Sequence, residues 1–316
     1  MTFEQLRIFL AVAEREHLTR AAEALRLTPS AVSASIRALE GSYGVELFHR
    51  VGRGIELTEA GRLFLPEARS VLARAAGAEA LLSDLGGLRR GRLALQASQT
   101  IAGHFLPPFM IRFREAHPGV ALDLVIGNTE TVAAAVIEGE ADLGFVEGPV
   151  TSPLLAAPVV AEDQLVIVVA PGHPLAAPRT VTAANLVTAR WVLREPGSGT
   201  RASFAAGLRE TGVAIEALDV VLALPSNEAV LAAVASGGTA TAISRAAAAA
   251  MIGAGTLAEV AYRLPPRAFR MLRHKERHRT AAAFAFEALV AAGQSARAAT
   301  ASTSTRNSGR VKPETM

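Results

Sequence analysis

The chain has 316 residues, half of them hydrophobic and none of them cysteine, with 32 basic against 29 acidic side chains. That is enough apolar material for a full core in two or three domains, and it excludes structural disulfides, thiolate zinc sites and cysteine nucleophiles. The positive excess sits in the last stretch, where Arg297, Arg306, Arg310 and Lys312 face only Glu314. The body is therefore close to neutral, and net charge alone advertises no nucleic-acid partner.

The opening residues, MTFEQLRIFLAVAEREH, carry charge throughout and lack the basic-then-apolar pattern of a leader. No apolar run approaches the roughly 20 residues that span a bilayer. A soluble, cytoplasmic chain with no membrane partner is expected. Thr2 and Gln5 form a capping box, and Phe3, Leu6, Leu10 and Ala13 predict a helical stripe ending near Glu16. Thr19 opens a second short helix, with Ala22 and Leu25 inward. Thr28 then caps a third helix that has Pro29 at its first position, where the missing N–H costs nothing. Val32, Ile36 and Leu39 form its core stripe. The opposite face carries Ser30, Ala34, Arg37 and Ala38, with Ser33 on its flank. A face so small and nearly uncharged implies that something large comes close to it. Three short helices with a tight turn before the last form a helix-turn-helix pattern.

Residues 44–61, GVELFHRVGRGIELTEAG, predict a hairpin whose Gly52-Arg53-Gly54 tip displays an arginine, a wing. Thr58 caps a long helix over about 59–88. Its apolar positions, Leu63, Ala68, Val71, Leu72, Ala75, Ala78, Leu82 and Leu85, extend too far to bury against so small a domain. A second copy of the chain is the expected partner. Pro66 bends the first turns of this helix or marks a late start. Beyond GGLRRGR, strands alternate with helices in two successive series, the pattern of parallel sheets and βαβ crossovers in two lobes. The segment TIAGHFLPPFMIRFREAHPG reads as one helix. From Gln294 onward the composition is polar and aperiodic, which predicts a disordered tail.

The ordered run AAEALRLTPSAVSASIRALE, GVELFHR and LTEAG, followed by a long helix and a two-lobed α/β region, resembles the LysR-type transcriptional regulators over residues 1 to about 292. ASQTI…LPPF and REPGSGTR are most similar to the branch that regulates sulfur assimilation and carbon fixation. The resemblance implies an α/β chain with a winged helix-turn-helix over 1–58 and a dimerising linker helix and hinge over 59–90. It also implies an effector domain of periplasmic-binding-protein type 2 over 91–293, with lobe 1 at about 91–163 and 266–293, lobe 2 at about 164–265, and the tail at 294–316. It implies operator DNA, a second copy and a small-molecule effector as partners, with no cofactor and no catalysis.

Placed on this sequence, the base-reading helix runs from Thr28 to Leu39 and the wing arginines are Arg50 and Arg53. The family's common Gln near Pro29 and its Arg or Gln near Ala34 are missing here. Direct readout is then thin and rests on Ser30, Ser33, Ser35 and Arg37, with Ala34 able to touch a thymine methyl and Thr28 and Pro29 as further DNA-contacting positions at the start of the helix. Phosphate contacts and DNA shape supply the rest of the selectivity.

In the sensing region, Ser98, Gln99 and Thr100 lie where a strand gives way to a helix, a place where N–H groups and hydroxyls attract anions. Simple capping by Ser98 or Thr100 is the alternative. REPGSGTR repeats the arrangement, with Ser198 and Thr200 as candidates, while Arg194 and Arg201 suit a structural ion pair equally well. It is no phosphate-binding P-loop, because no Gly-Lys-Ser/Thr follows. Asn128 and Thr129 end another strand. Glu147 also sits at a strand end, where it repels an anion unless neutralised or turned away. These residues predict a small anionic metabolite. His274 and His278 have the spacing of a helical metal pair but span a strand-to-helix junction and lack a third ligand. No nucleophile elbow or paired-carboxylate constellation appears. A solute-binding protein, an enzyme on the same α/β domain, and an architectural DNA-binding protein without effector are the rival readings.

Overall fold

The computed structural model describes residues 1–52, 54–85, 91–177 and 180–293. Arg53, residues 86–90 at the end of the expected linker helix and hinge, and the tail at 294–316 lie outside the described residues. The chain divides into two compact units, the first built on Met1–Leu85 and the second on most of the remaining chain.

The first unit contains α1 (Phe3–Arg15), α2 (Leu18–Leu25), α3 (Pro29–Tyr43), the hairpin strands β1 (Phe48–Val51) and β2 (Gly54–Leu57), and α4 (Glu59–Leu85). The capping box of Thr2 and Gln5 is formed, and Glu16 ends α1 in a left-handed conformation. The expected inward stripe of α1 is out of phase. Phe3 is 55% exposed, whereas Phe9 is fully buried and packs its ring on Phe48 and Phe64. Leu6, Ile8, Phe9, Ala11 and Val12 form the buried face, because α2, α3, the hairpin and α4 all close on α1. The second helix starts at Leu18, one residue before the expected Thr19, and buries Ala21 and Ala22 rather than Leu25. In α3 the stripe of Val32, Ile36 and Leu39 is buried.

The hairpin is tied to the helices by specific bonds. The Glu40 carboxylate accepts from the N–H groups of Leu47 (2.8 Å) and Phe48 (3.2 Å). The Thr58 hydroxyl donates to the Glu46 carbonyl and accepts from the Gly61 N–H, capping α4. The fourth helix runs unbroken through Pro66 from Glu59, so the late start is not found. Its 27 residues span roughly 40 Å. Ala68 is buried, while Leu63, Val71, Leu81 and Leu82 are exposed.

The second unit is one mixed sheet covered on both faces. Its elements are β3 (Gly91–Ser98), α5 (Gln99–His104), α6 (Pro107–Ala116), β4 (Val120–Gly127), α7 (Thr129–Glu138), β5 (Leu143–Val146), β6 (Leu155–Ala156), β7 (Val159–Val169) and α8 (Ala183–Val187). They continue with β8 (Arg190–Arg194), α9 (Gly199–Arg209), β9 (Asp219–Leu224), α10 (Asn227–Ala235), β10 (Ala240–Ser244), α11 (Arg245–Gly253), β11 (Ala258–Glu259) and β12 (Pro266–His274), and a helix over 281–293 closes the unit. The strand order is β4-β3-β5-β12-β7-β10-β8-β9. The expected single helix after β3 is two, broken at Phe105 and Leu106, with Pro107 opening the second.

Strand β3 lies parallel to β4 and β5, and β8 lies parallel to β9 and β10. The sheet is not parallel throughout, because β12 and β7 run antiparallel to their neighbours. The eleven-residue β7 pairs with β12 as far as Gln164 and with β10 from Leu165. One strand thus belongs to both halves. The first half packs Phe109, Phe113, Phe145 and Phe286 on one face and Val132, Val136 and Leu272 on the other. The second half buries Trp191 and Phe204 on one face and Val166, Val230 and Ile243 on the other.

Gly61 has no room for a side chain. An added Cβ runs into the Leu47 carbonyl oxygen and lies 2.8 Å from the Leu57 side chain. Overpacking of this kind costs on the order of 1–3 kcal/mol. Gly61→Ala is expected to lower the urea-unfolding free energy of the N-terminal unit by that amount.

Candidate DNA-reading face and effector cleft

In the first unit, the Thr28 hydroxyl caps α3 by accepting from the Ala31 N–H at 3.2 Å and lies 3.0 Å from the Ser30 hydroxyl. Thr28, Pro29, Ser30, Ala34, Arg37 and Ala38 are exposed, and Ser33 and Ser35 are half-buried on the flanks. Arg50 is exposed on β1, opposite Ile55. Residues 1–62 hold eight Arg and eight Glu, and the geometry shows how that balance is distributed. Arg7 pairs with Glu4 and Arg15 with Glu14, while Glu40 is engaged by backbone N–H groups. Arg20, Arg26, Arg37 and Arg50 are exposed and make no ion pair among the described residues. Arg20 and Arg26 were not singled out from sequence, because an arginine's freedom depends on where its neighbouring acids are spent.

In the second unit, every residue expected to face an effector lies at or just beyond the carboxyl end of a parallel strand. This is where open α/β sheets place their crevices. Ser98, Gln99 and Thr100 follow β3, Asn128 and Thr129 follow β4, Glu147 follows β5, and Ser198 and Thr200 follow β8. The fold brings Ser98, Gln99, Thr100, Asn128, Glu147 and Thr200 together in two hydrogen-bonded networks, each of which joins the two halves, while Thr129 and Ser198 lie beside them without a side-chain bond in either.

The first network is centred on Glu147, which is 5% exposed. Its carboxylate accepts from the Ser98 hydroxyl on one side and from the Thr200 hydroxyl, at 3.2 Å, on the other. The Arg267 guanidinium, also buried, lies 3.6 Å from the same carboxylate and donates to the Thr200 oxygen at 3.0 Å. Arg267 sits opposite Asp163 across the β12–β7 ladder and bonds its carboxylate at 2.8 Å. Asp163 also accepts from Ser244 at 2.8 Å. Two carboxylates thus share one guanidinium. Sequence reasoning missed Arg267 and Asp163 altogether.

The second network uses the neighbouring side chains. Gln99 donates to the Pro225 carbonyl at 3.0 Å and accepts from the Asn227 N–H at 2.7 Å. The Asn227 amide donates to Thr100 at 3.2 Å and accepts from the buried Arg194 at 2.5 Å. Arg194 pairs with Glu195 at 2.8 Å, and Asn128 donates to Glu195 at 3.3 Å. Burial by itself raises the Glu195 pKa, but the Arg194 guanidinium outweighs it and holds the carboxyl below the usual glutamate value. The stabilisation from this pair is complete above the ordinary glutamate range and is lost as the pH falls through the depressed value. Glu195→Gln is expected to flatten the acid limb of a stability–pH curve, and an unchanged limb contradicts the assignment.

The capping alternative read from the sequence does not hold here. Neither Ser98 nor Thr100 caps α5, because their hydroxyls are committed to Glu147 and Asn227. Asn128 does cap: its side-chain oxygen accepts from the N–H groups of Glu130 and Thr131. Glu147 is not turned away from the seat where an anion was expected. Its carboxylate lies among Ser98, Thr200 and Arg267. A second anion placed about 4 Å from it meets roughly 4 kcal/mol of repulsion at an effective dielectric constant near 20.

Two glycines let the halves meet. A Cβ on Gly199, at the start of α9, falls 2.6 Å from the Gly148 nitrogen, and one on Gly148 falls 2.8 Å from the Gly199 Cα. The Thr129 hydroxyl packs against both and has no hydrogen-bond partner among the described residues. Thr129, Ser198 and Gly199 also line a groove of about 670 Å³ with apolar walls that include Ala133, Ile137, Val150, Ala202 and Ile215. Arg201 lines the same groove and donates to the Arg194 carbonyl rather than pairing with an acid. His274 ends β12 and His278 lies outside any helix, so the two do not share a helical face. No group of three or more His, Asp or Glu arranged to hold a metal is found among the described residues. No helix among them is long and apolar enough to cross a membrane.

Removing one partner of a buried ionic cluster leaves the others uncompensated, at a cost of roughly 3–5 kcal/mol. Arg267→Met is expected to lower the urea-unfolding free energy of the C-terminal unit by that amount. A loss under about 1 kcal/mol contradicts the central place given to this guanidinium.

Comparison with known proteins assigns the family. Residues 3–62 match the family of bacterial regulatory helix-turn-helix proteins of lysR type, and residues 86–295 match the LysR substrate binding domain. The chain is 36% identical over 280 residues to the HTH-type transcriptional regulator YeiE of Escherichia coli K12, covering 88% of this chain and 93% of that one. It is 35% identical over 237 residues to the RuBisCO operon transcriptional regulator of Allochromatium vinosum, covering 75% and 77%. The fold is similar to that of full-length CbnR in complex with its target DNA, with a TM-score of 0.65 at 21% identity, covering 92% of this chain and 99% of that one. The helix-turn-helix unit, the hairpin beside it and the two-part α/β unit thus make up a transcriptional regulator, and the chain belongs to the LysR family.

Proposed function

We propose that this regulator binds operator DNA in the cytoplasm as a homo-oligomer. A small anionic metabolite in the cleft between the halves of its C-terminal unit modulates that binding. The division of labour follows the chain: 1–58 reads DNA, 59–90 joins subunits and transmits, 91–293 senses the effector, and 294–316 is appended. The observation that carries the DNA reading is the exposed face of α3, where Ser30, Ala34, Arg37 and Ala38 leave room for a groove wall. Small side chains let a helix seat deeply, and unpaired arginines around it supply phosphate contacts. Arg50 suits the minor groove or its flanking phosphates, and the family resemblance gives Arg53 the same role. Self-association is supported by the apolar face that α4 leaves exposed at Leu63, Val71 and Leu82.

The effector reading is supported by the gathering of Ser98, Thr200 and Arg267 around one carboxylate position between the halves. An arriving anion finds there two hydroxyl donors, a guanidinium and the first turn of α9. Coupling to DNA requires that the anion bind one arrangement of the halves better than the other.

The DNA reading is tested with the intergenic DNA beside the gene. Arg37→Ala and Arg50→Ala are each expected to weaken binding by about 1–3 kcal/mol and to lower the slope of log affinity against log salt by about one unit. Fluorescence anisotropy across a salt series measures both. Unchanged affinity and slope in both variants contradict the assignment of this face.

A further inference from the structure

We infer that Glu147 is a built-in surrogate for the effector's anionic group, a tethered competitor that joins the two halves through the donors an incoming anion needs. The inference rests on the anion reading of the cleft and adds its regulation. Ser98 belongs to the first half and Thr200 to the second, and the Glu147 carboxylate accepts from both. Arg267, on the strand that pairs with β7, faces the same carboxylate and also the Thr200 oxygen. The charged and titratable groups facing Glu147 are thus Arg267 and, through it, Asp163. A carboxylate fixed to the backbone acts at a high effective concentration. A free anion must exceed that before it gains Ser98, Thr200 and Arg267 for itself. The glycine pair at Gly148 and Gly199 brings the halves together with this carboxylate in place. The chain therefore reaches its joined arrangement from its own groups and responds only to an anion that displaces Glu147.

The test uses the full-length protein and two variants, Glu147→Ala and the polar Glu147→Ser. Acetate, formate and sulfate serve as probes, acetamide as the neutral counterpart of acetate, and chloride as the ionic-strength control. Both variants are expected to melt below the parent. Acetate and formate should raise their midpoints in a concentration-dependent way, and acetamide and chloride should not. Calorimetry is expected to give the variants an acetate affinity at least tenfold above the parent's. Variants no more responsive to these anions than the parent overturn the surrogate role. If the parent itself binds the anions in that case, the anion-sensing reading survives alone. If no anion binds parent or variant, both readings fall.

Discussion

The ionic contact between Glu147 and Arg267 is the constraint at the centre of the C-terminal unit, because it ties together strand ends of two halves that are otherwise joined by β7 and by the hydrogen bonds of Gln99, Thr100 and Asn128. Strand β7 runs through both, and each half has its own aromatic or aliphatic cores on its two faces. The contact surface between them is polar, built from strand ends and the turns beyond them. Such a surface holds together only when its buried donors and acceptors are satisfied. The two networks meet much of that requirement with protein groups, Arg267 serving two carboxylates and a hydroxyl in one and Arg194 serving Glu195, Asn227 and the Pro225 carbonyl in the other. This arrangement explains why close-approach glycines stand at 148 and 199, where any side chain would force the networks apart.

Much of the N-terminal unit was legible in the sequence, since its signals are local. Thr2 and Gln5 lie three residues apart, as do Thr28 and Ala31, and both pairs form the caps their spacing implies. The stripe of Val32, Ile36 and Leu39 needs only the helical period. The phase of α1 was misread for an equally physical reason. A helix enclosed on several sides buries a wide arc, and Phe9 lies at its centre while Phe3 overhangs the end. The exposure of Leu63, Val71 and Leu82 along α4 agrees with the expectation of a helix too long for its own domain.

The cleft was legible only in part. Strand ends followed by Ser, Thr or Asn marked its rim, and Ser98, Thr100, Asn128, Thr129 and Thr200 lie in or beside the contact between the halves. What occupies the centre was not legible. Glu147, Asp163 and Arg267 are scattered over more than a hundred positions, and only the antiparallel register of β7 against β12 sets Arg267 opposite Asp163. Alternation of strands and helices suggested a parallel sheet. The antiparallel β12 that breaks the pattern is the strand that delivers the guanidinium. The acidic residue that the sequence set apart as an obstacle to anions, Glu147, lies within hydrogen-bonding or ionic reach of Ser98, Thr200 and Arg267.

The central claim is that protein groups alone hold the halves together, and its most direct measurement is a distance. The chain has no cysteine, so Ala134→Cys on α7 and Ala206→Cys on α9 place one spin label on each half without background. Labelled chain is diluted with unlabelled chain, so that only distances within one subunit are read. Double electron–electron resonance in anion-poor buffer is predicted to give one narrow distance distribution, unchanged by added acetate. A broad or bimodal distribution in the same buffer, collapsing to a narrow one when acetate is added, would contradict the claim.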